Sequence, residues 1–365
     1  MINLNVNIKS AKGDYLIDTN NQQYFDLCMG YGSVSLGHNY SPIIKAQQQQ
    51  IQEYSGPGFL KSTVYKTAKK KIEDYVKGYS VSGFYTSGAN AIEIAIKMAF
   101  ANNNKSKIIS FENSMHGKTI FANKLGFESC LNNDNQILKI PFLAKQNESE
   151  ILEACEIEMQ SNLIAAIIIE PIQMSGGGFQ ASKDFYKSLS GLAKKYQVLQ
   201  IYDEILTGFH RMGNLFCFYD YEVEPDIIVA GKSIGSGFPV SLILIKNSFK
   251  VSSSFRGGGT FHNHPVACAS VIATIDAYTQ LKVQDKIEAI DVCIKKYLPA
   301  QNLSGKGALW SLNMGTKENA FEAVNYLNRN KVIVSFYDKN IRFFPNFQVD
   351  TGKLAEVCKM IKPFL

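Results

Sequence analysis

Residues 225–239 read PDIIVAGKSIGSGFP, and the placing of one lysine in them decides the fold. Ile227, Ile228, Val229 and Ala230 follow a Pro-Asp turn and form a short apolar run, β-branched except for the last, which predicts a buried strand. Lys232 stands two residues beyond it. A buried, unpaired ammonium is costly, so a lysine kept at such a place has a shifted pKa and a task, or lays its stem on apolar surface and sends its amine to water. Gly231, Gly235 and Gly237 around it favour the first reading, because a chain stripped of side chains permits close approach of a ligand.

Strands and helices alternate on either side of this stretch. Apolar runs at 107–110, 165–169, 198–202 and 240–245 predict further strands, and 89–101 and 184–196 predict helices. That alternation predicts an α/β fold with a mostly parallel sheet between helices, whose ligands sit outside the carboxyl ends of the strands. The first forty residues read as short strands (14–18 and 23–27) and turns, and a helix starts at Ser41-Pro42. After Pro265 a long apolar helix leads into a second region, where strands at 308–312 and 332–336 alternate with helices at 317–328 and 351–361, the pattern of a small α+β domain. The expected organisation is a segment 1–40 packed with the small domain, a large domain 41–265, and a connecting helix with the small domain over 266–365. A length of 365 residues suits one large and one smaller core.

Composition narrows the function. The net charge is +6, yet the basic residues are scattered and no basic helix with interleaved aromatics occurs, which argues against nucleic acid. Seven cysteines without a CxxC pair predict reduced thiols and no zinc site, and the chain lacks both a signal-peptide core and an apolar run of membrane-spanning length. A soluble cytoplasmic protein without membrane or nucleic-acid partners, and without a metal, is expected.

Two other strand ends carry acids. The run 198–202 leads into Asp203-Glu204, and 165–169 leads into Glu170-Pro171. A single acid there is commonly a helix cap, but an acid and a lysine on separate strand ends allow a specific chemistry: a desolvated lysine forms Schiff bases, and an aspartate keeps a pyridinium nitrogen protonated. Ser87-Gly88-Ala89 opens the helix at 89–101, and free N–H groups there suit a phosphate, although Ser-Gly before a helix is also an ordinary cap.

Taken together these residues resemble the class III aminotransferases, the subgroup of fold type I enzymes that use pyridoxal 5'-phosphate. The similarity runs from GDYLIDTNNQQYFDLCMGYGSVSLGH to IRFFPNF and is strongest in YDEILTGFHRMGNLFCFYDYEVEPDIIVAGKSIGSGFP. It implies a PLP-dependent transferase fold with a Schiff base on Lys232, Asp203 at the pyridine nitrogen, and Ile205 against a ring face. It further implies phosphate contacts from Ser87, Gly88 and Ala89, cofactor contacts from Met115, His116 and Glu170, and Thr260 reaching the phosphate of a neighbouring subunit, hence a homodimer with shared active sites. Substrate contacts fall on Arg342, Lys118 and Tyr31. The implied activity moves an amino group between an amine or amino acid and a keto acid or aldehyde. An aminomutase of the glutamate-semialdehyde type and a non-catalytic PLP-binding relative are the alternatives.

Departures restrict the substrate. Met115 stands where the family usually stacks an aromatic ring, Lys118 replaces an arginine, and Ser175 replaces a glutamate that ornithine-type members use, which disfavours ornithine and acetylornithine. Leu206 fills a slot where some members carry glutamine. The chain has only four arginines, and bidentate carboxylate binding favours guanidinium. Arg329 is expected to face solvent, Arg211 to be structural, and Arg256 to be able to serve a neighbouring subunit. Arg342 is either the carboxylate anchor or an interface arginine paired with an acid.

Overall fold

The computed structural model describes residues 6–56, 58, 60–127 and 135–365, so Cys130 and the first five positions of the N-terminal stretch lie outside the described residues. Seven strands form the central sheet in the order Tyr79–Tyr85, Ser241–Lys246, Ile227–Ala230, Leu199–Glu204, Ile164–Ile169, Lys107–Phe111, Ile137–Ile140. The five from Ile227–Ala230 to Ile137–Ile140 run parallel. Ser241–Lys246 is antiparallel to both neighbours. Its reversal follows from the connection, because residues 231–240 are fewer than the dozen or so that a parallel crossover needs.

Strand alternation divides the apolar side chains between two faces. Ile227 and Val229 join Ile168, Ile201 and Ile243 in a cluster under the helix Gly88–Ala101, which contributes Ile92, Ala95, Ile96 and Ala99 at helical spacing. Ile228 and Ala230 join Ile167, Tyr202 and Leu242 in the larger core on the opposite face. Both faces of the sheet are therefore covered, as a parallel sheet requires. No helix of the described residues is long and apolar enough to cross a membrane.

A four-stranded antiparallel sheet follows the long helix Pro265–Leu281, in the order Leu303–Lys306, Leu309–Asn313, Asn340–Phe343, Ser335–Tyr337, with helices Lys317–Arg329 and Thr351–Ile361. A third sheet joins Ile8–Lys12, Tyr15–Asp18 and Gln23–Asp26 to Val332–Ile333, which pairs in parallel with Gln23–Asp26.

Two sequence expectations change. The run 332–336 is not one strand: Val332 and Ile333 pair with Phe25 and Asp26, whereas Ser335, Phe336 and Tyr337 pair with Arg342, Ile341 and Asn340. The chain changes sheets at Val334, and an apolar run carries no sign of which sheet receives it. The run 198–202 extends to Glu204, because Asp203 and Glu204 pair with Val229 and Ala230. Both acids are consequently buried inside the ladder instead of following it.

Candidate active site

Lys232 owes its position to the backbone on both sides of it. The preceding Gly231 has no room for a side chain, since a Cβ there would lie 2.6 Å from Ser241 Oγ. Lys232 itself has φ +40, a left-handed conformation that an L side chain adopts at a cost and that persists where surrounding contacts over-determine it. Those contacts come from two distant segments. Ser35 Oγ and Tyr278 OH lie 2.7 and 2.6 Å from the Ser233 carbonyl oxygen, and the Leu36 and Gly237 amides donate to Ser236 Oγ and the Ser33 carbonyl. Burial lowers the pKa of the Lys232 amine, with the carboxylates of Asp203 and Glu170 acting in the other direction. A lowered pKa raises the share of neutral, nucleophilic amine.

The adjacent strands deliver the acids. Asp203 is 4% exposed; its Oδ2 lies 2.7 Å from His116 Nδ1, and its Oδ1 accepts the Ile205 amide at 3.1 Å. Burial alone would lower the pKa of His116, but the hydrogen bond and charge of Asp203, with Glu170 behind them, raise it. The neighbouring acids thus favour the protonated form of the imidazole more than burial alone would allow. Glu170 accepts the Met115 amide at 2.8 Å. Its carboxyl is pushed up to about 7 by burial and by Asp203, against the opposing influence of His116 and the Met115 amide.

Two cavities meet at Lys232. The first, about 410 Å3, is walled by Ser87, Gly88, Ala89, Met115, His116, Ile205 and Lys232. The second, about 590 Å3, is walled by Tyr31, Met115, Lys118, Lys232 and Arg342, with Ser175 and Leu206. Lys232 and Met115 belong to both. The helix Gly88–Ala101 begins at the first cavity, with Ser87 Oγ accepting the Asn90 amide as its cap. A Cβ at Gly88 would come within 2.8 Å of Ile205 Cδ1, so any larger residue there would have to displace the Ile205 side chain.

Asp203 and Glu170 do not themselves line either cavity; they adjoin it through His116 and Met115. Thr260 is not brought to Lys232: it is exposed and lines a separate recess with Tyr85, Phe255 and His262. Among the arginines, Arg211 is fully buried and donates to the carbonyls of Gly32, Ala308 and Pro345, a structural role as expected. Arg329 is exposed, and among the described residues Arg256 bonds to the nearby carbonyls of Ser253 and Phe255. Arg342 is 9% exposed and donates to the neutral Ser335 Oγ at 2.8 Å, and it forms no ion pair with any described acid.

Several wall residues escaped the sequence reading. Ser33 and Thr86 line the first cavity, and Lys317, Phe336 and Tyr337 line the second. Phe336 and Tyr337 lie on the strand that pairs with that of Arg342, in register with Ile341 and Asn340. Ser33 and Lys317 had no local signal, because each comes from a segment far away in sequence. Among the described residues no group of His, Cys, Asp and Glu is arranged to hold a metal ion.

Over residues 2–365 the chain matches the family Aminotransferase class-III. It is 28% identical to the acetylornithine aminotransferase of Archaeoglobus fulgidus over 343 residues, covering 93% of this chain and 90% of that protein. It is 32% identical to the succinylornithine transaminase of Photorhabdus laumondii over 321 residues, covering 82% and 77%. The ornithine aminotransferase of Toxoplasma gondii, whose active site holds pyridoxal phosphate at partial occupancy, superposes with a TM-score of 0.86 at 25% identity, covering 99% of this chain and 90% of that one. A buried lysine at the meeting of two cavities on a fold type I scaffold and a family match over almost the whole length agree: the chain belongs to the class III aminotransferases, enzymes that move amino groups with pyridoxal phosphate.

Proposed function

We propose that the enzyme exchanges an amino group between an amine or amino acid and a keto acid or aldehyde where its two cavities meet, with the cofactor in the first and the substrate in the second. The observation that carries this reading is the shared wall: Lys232 lines both spaces, so one amine reaches a group in either. The first cavity fits pyridoxal phosphate in its chemistry, with a helix start for the phosphate, an amine for the aldehyde carbon, and a buried His116 Nε2 that has no partner among the described residues. Bound there, the cofactor supplies an electron sink for negative charge at the substrate Cα.

The chain's residues divide the remaining work. Ser87, Gly88 and Ala89 hold the phosphate, and Ile205 and Met115 offer apolar wall to the ring; a methionine sulfur provides about 0.3–1.5 kcal/mol against an aromatic face. Asp203, oriented by His116, supplies the negative charge that favours a protonated pyridine nitrogen. Glu170 fixes the Met115 backbone. Lys232 Nζ takes the proton from the substrate Cα and returns it at the acceptor carbon. Arg342 anchors the substrate carboxylate, supported by its lack of an acid partner, and Tyr31 and Lys118 complete that chamber.

Thr260 reaches the phosphate of a second copy, which accounts for its distance from Lys232 in its own chain and makes the active form a homodimer. Sedimentation at micromolar concentration reads this directly, and a fully active monomer would contradict it. The six described cysteines are all free, which supports a reducing, cytoplasmic setting. The segment 1–40 belongs with the small domain in this account, supported by the pairing of Val332–Ile333 with Gln23–Asp26.

Arg342→Lys tests the substrate assignment. Losing a charged, bidentate contact costs about 1.5–3 kcal/mol, so KM for carboxylate substrates rises by roughly tenfold to a hundredfold while simple amines keep theirs. Equal losses for amines and amino acids would mean that Arg342 only holds the fold.

A further inference from the structure

The chain leaving the strand Gln23–Asp26 adopts a conformation that an L-residue takes only at a cost. Met29, Gly30, Tyr31 and Gly32 have φ values of +45, +58, +55 and +81, so four left-handed residues follow one another and two of them are not glycine. Left-handed residues normally occur singly, because a Cβ in that conformation crowds the following carbonyl. A run of them persists only where surrounding contacts over-determine it, and strain of this kind clusters at working sites. Met29 is buried and serves the core, whereas Tyr31 is 47% exposed and stands on the wall of the second cavity.

The turn is held at both ends. At its start Cys28 is right-handed and Met29 left-handed, a succession that aims two backbone N–H groups at one point and forms a concavity for an anion. Asp26 Oδ1 fills it, accepting the Cys28 amide at 2.8 Å and the Met29 amide at 3.0 Å, while Oδ2 lies 2.9 Å from His38 Nε2. At the far end Arg211 donates to the Gly32 carbonyl at 2.8 Å. Between them the Gly32 amide donates to the Cys28 carbonyl and the Val34 amide to the Met29 carbonyl, both at 3.1 Å. Asp26 is 3% exposed and lines neither cavity.

We infer that Asp26 is a positioning residue: its carboxylate holds the left-handed turn, and the turn holds Tyr31 in the substrate chamber, where that side chain tightens the grip on the substrate. The inference rests on the reading of the second cavity as the substrate chamber.

Two measurements on the PLP-loaded enzyme test it: calorimetric titration with hexanoate, a carboxylate that has no amine to react, and hydrogen exchange of the peptide spanning 27–36. Tyr31→Ala weakens hexanoate binding by about twofold to tenfold, the scale of one neutral contact. Asp26→Ala frees the amides of Cys28 and Met29, so exchange over 27–36 quickens and hexanoate affinity falls to that of Tyr31→Ala. The double variant Asp26→Ala, Tyr31→Ala binds no more weakly than Tyr31→Ala alone, because the aspartate acts through the tyrosine. Asp26→Asn keeps a side-chain oxygen for the two amides and restores both readouts. Gly30→Val, at an exposed position, sets a β-branched side chain in the left-handed region, opens the turn from within and gives the same losses even if Asp26→Ala does not fold. A wild-type enzyme that takes up no hexanoate would sink the chamber reading and the inference with it. Where the wild type binds, undiminished affinity in Tyr31→Ala or Gly30→Val, or losses that add in the double variant, would overturn the inference alone.

Discussion

His116 Nδ1 lies 2.7 Å from Asp203 Oδ2, and the two side chains are 0% and 3% exposed. This contact determines what the aspartate can do. With Oδ1 held by the Ile205 amide and Oδ2 by His116, the carboxylate has one orientation, and the buried imidazole supports its charge. Pre-oriented charge of this kind is where enzymes gain most of their electrostatic advantage.

Asp203→Asn removes the charge and keeps the shape. Turnover falls by about a hundredfold to a thousandfold, the scale of losing one preorganised electrostatic partner. His116→Gln leaves the carboxylate in place with less support, and turnover falls on the order of tenfold to a hundredfold, a charged hydrogen bond's worth. Single-turnover kinetics of the loaded enzyme give both numbers. A near-normal rate in the aspartate variant removes Asp203 from the mechanism.

Gly126→Ala tests how the loop carrying Met115 and His116 is seated. A Cβ at 126 would lie 1.7 Å from the Ser114 carbonyl oxygen, and a backbone atom cannot rotate out of the way. The variant loses about 1–3 kcal/mol or more and retains cofactor less well, because the strain displaces the segment 114–116. Thermal unfolding and equilibrium dialysis measure the two effects. Unchanged stability would show that the loop accommodates the methyl group.

Glu204 gives the pH dependence of stability. It is fully buried beside the Thr207 hydroxyl and the Phe218 amide, and burial pushes its carboxyl up to about 7. Between an unfolded value near 4.5 and that folded value the native state binds the extra proton, so stability is greatest at the acid end of the window and falls as pH rises through it. Glu170, also at about 7, adds to the same slope. Glu204→Gln cannot lose a proton, so its denaturant midpoint changes less between pH 5 and pH 7 than that of the wild type. An identical slope in the variant would mean that Glu204 is ionised throughout.

The parts of this site visible in the sequence are those with a local signature. Lys232 stood out because an apolar run and three glycines flank it, and Ser87-Gly88-Ala89 because a cap precedes a periodic helix. The inner part of the sheet was legible from its alternation with helices, and the structure adds the strands Tyr79–Tyr85 and Ile137–Ile140 and the reversal of Ser241–Lys246. What remained hidden depends on contacts between remote segments. Nothing local in Ser35 or Tyr278 announces that both meet the Ser233 carbonyl, and nothing in Lys317 announces the cavity it lines. The chain's change of sheets at Val334 was equally hidden, because both halves of that run are apolar and only their partners differ.

Lys232 Nζ is the proposed attachment point of the cofactor. Borohydride reduction of the PLP-loaded protein, followed by proteolysis and peptide mass spectrometry, tests it most directly. A phosphopyridoxyl group is expected on the peptide containing Lys232, and none on any peptide of Lys232→Ala treated in the same way. A reduced adduct on another lysine, or one that persists at full stoichiometry in the variant, would contradict it.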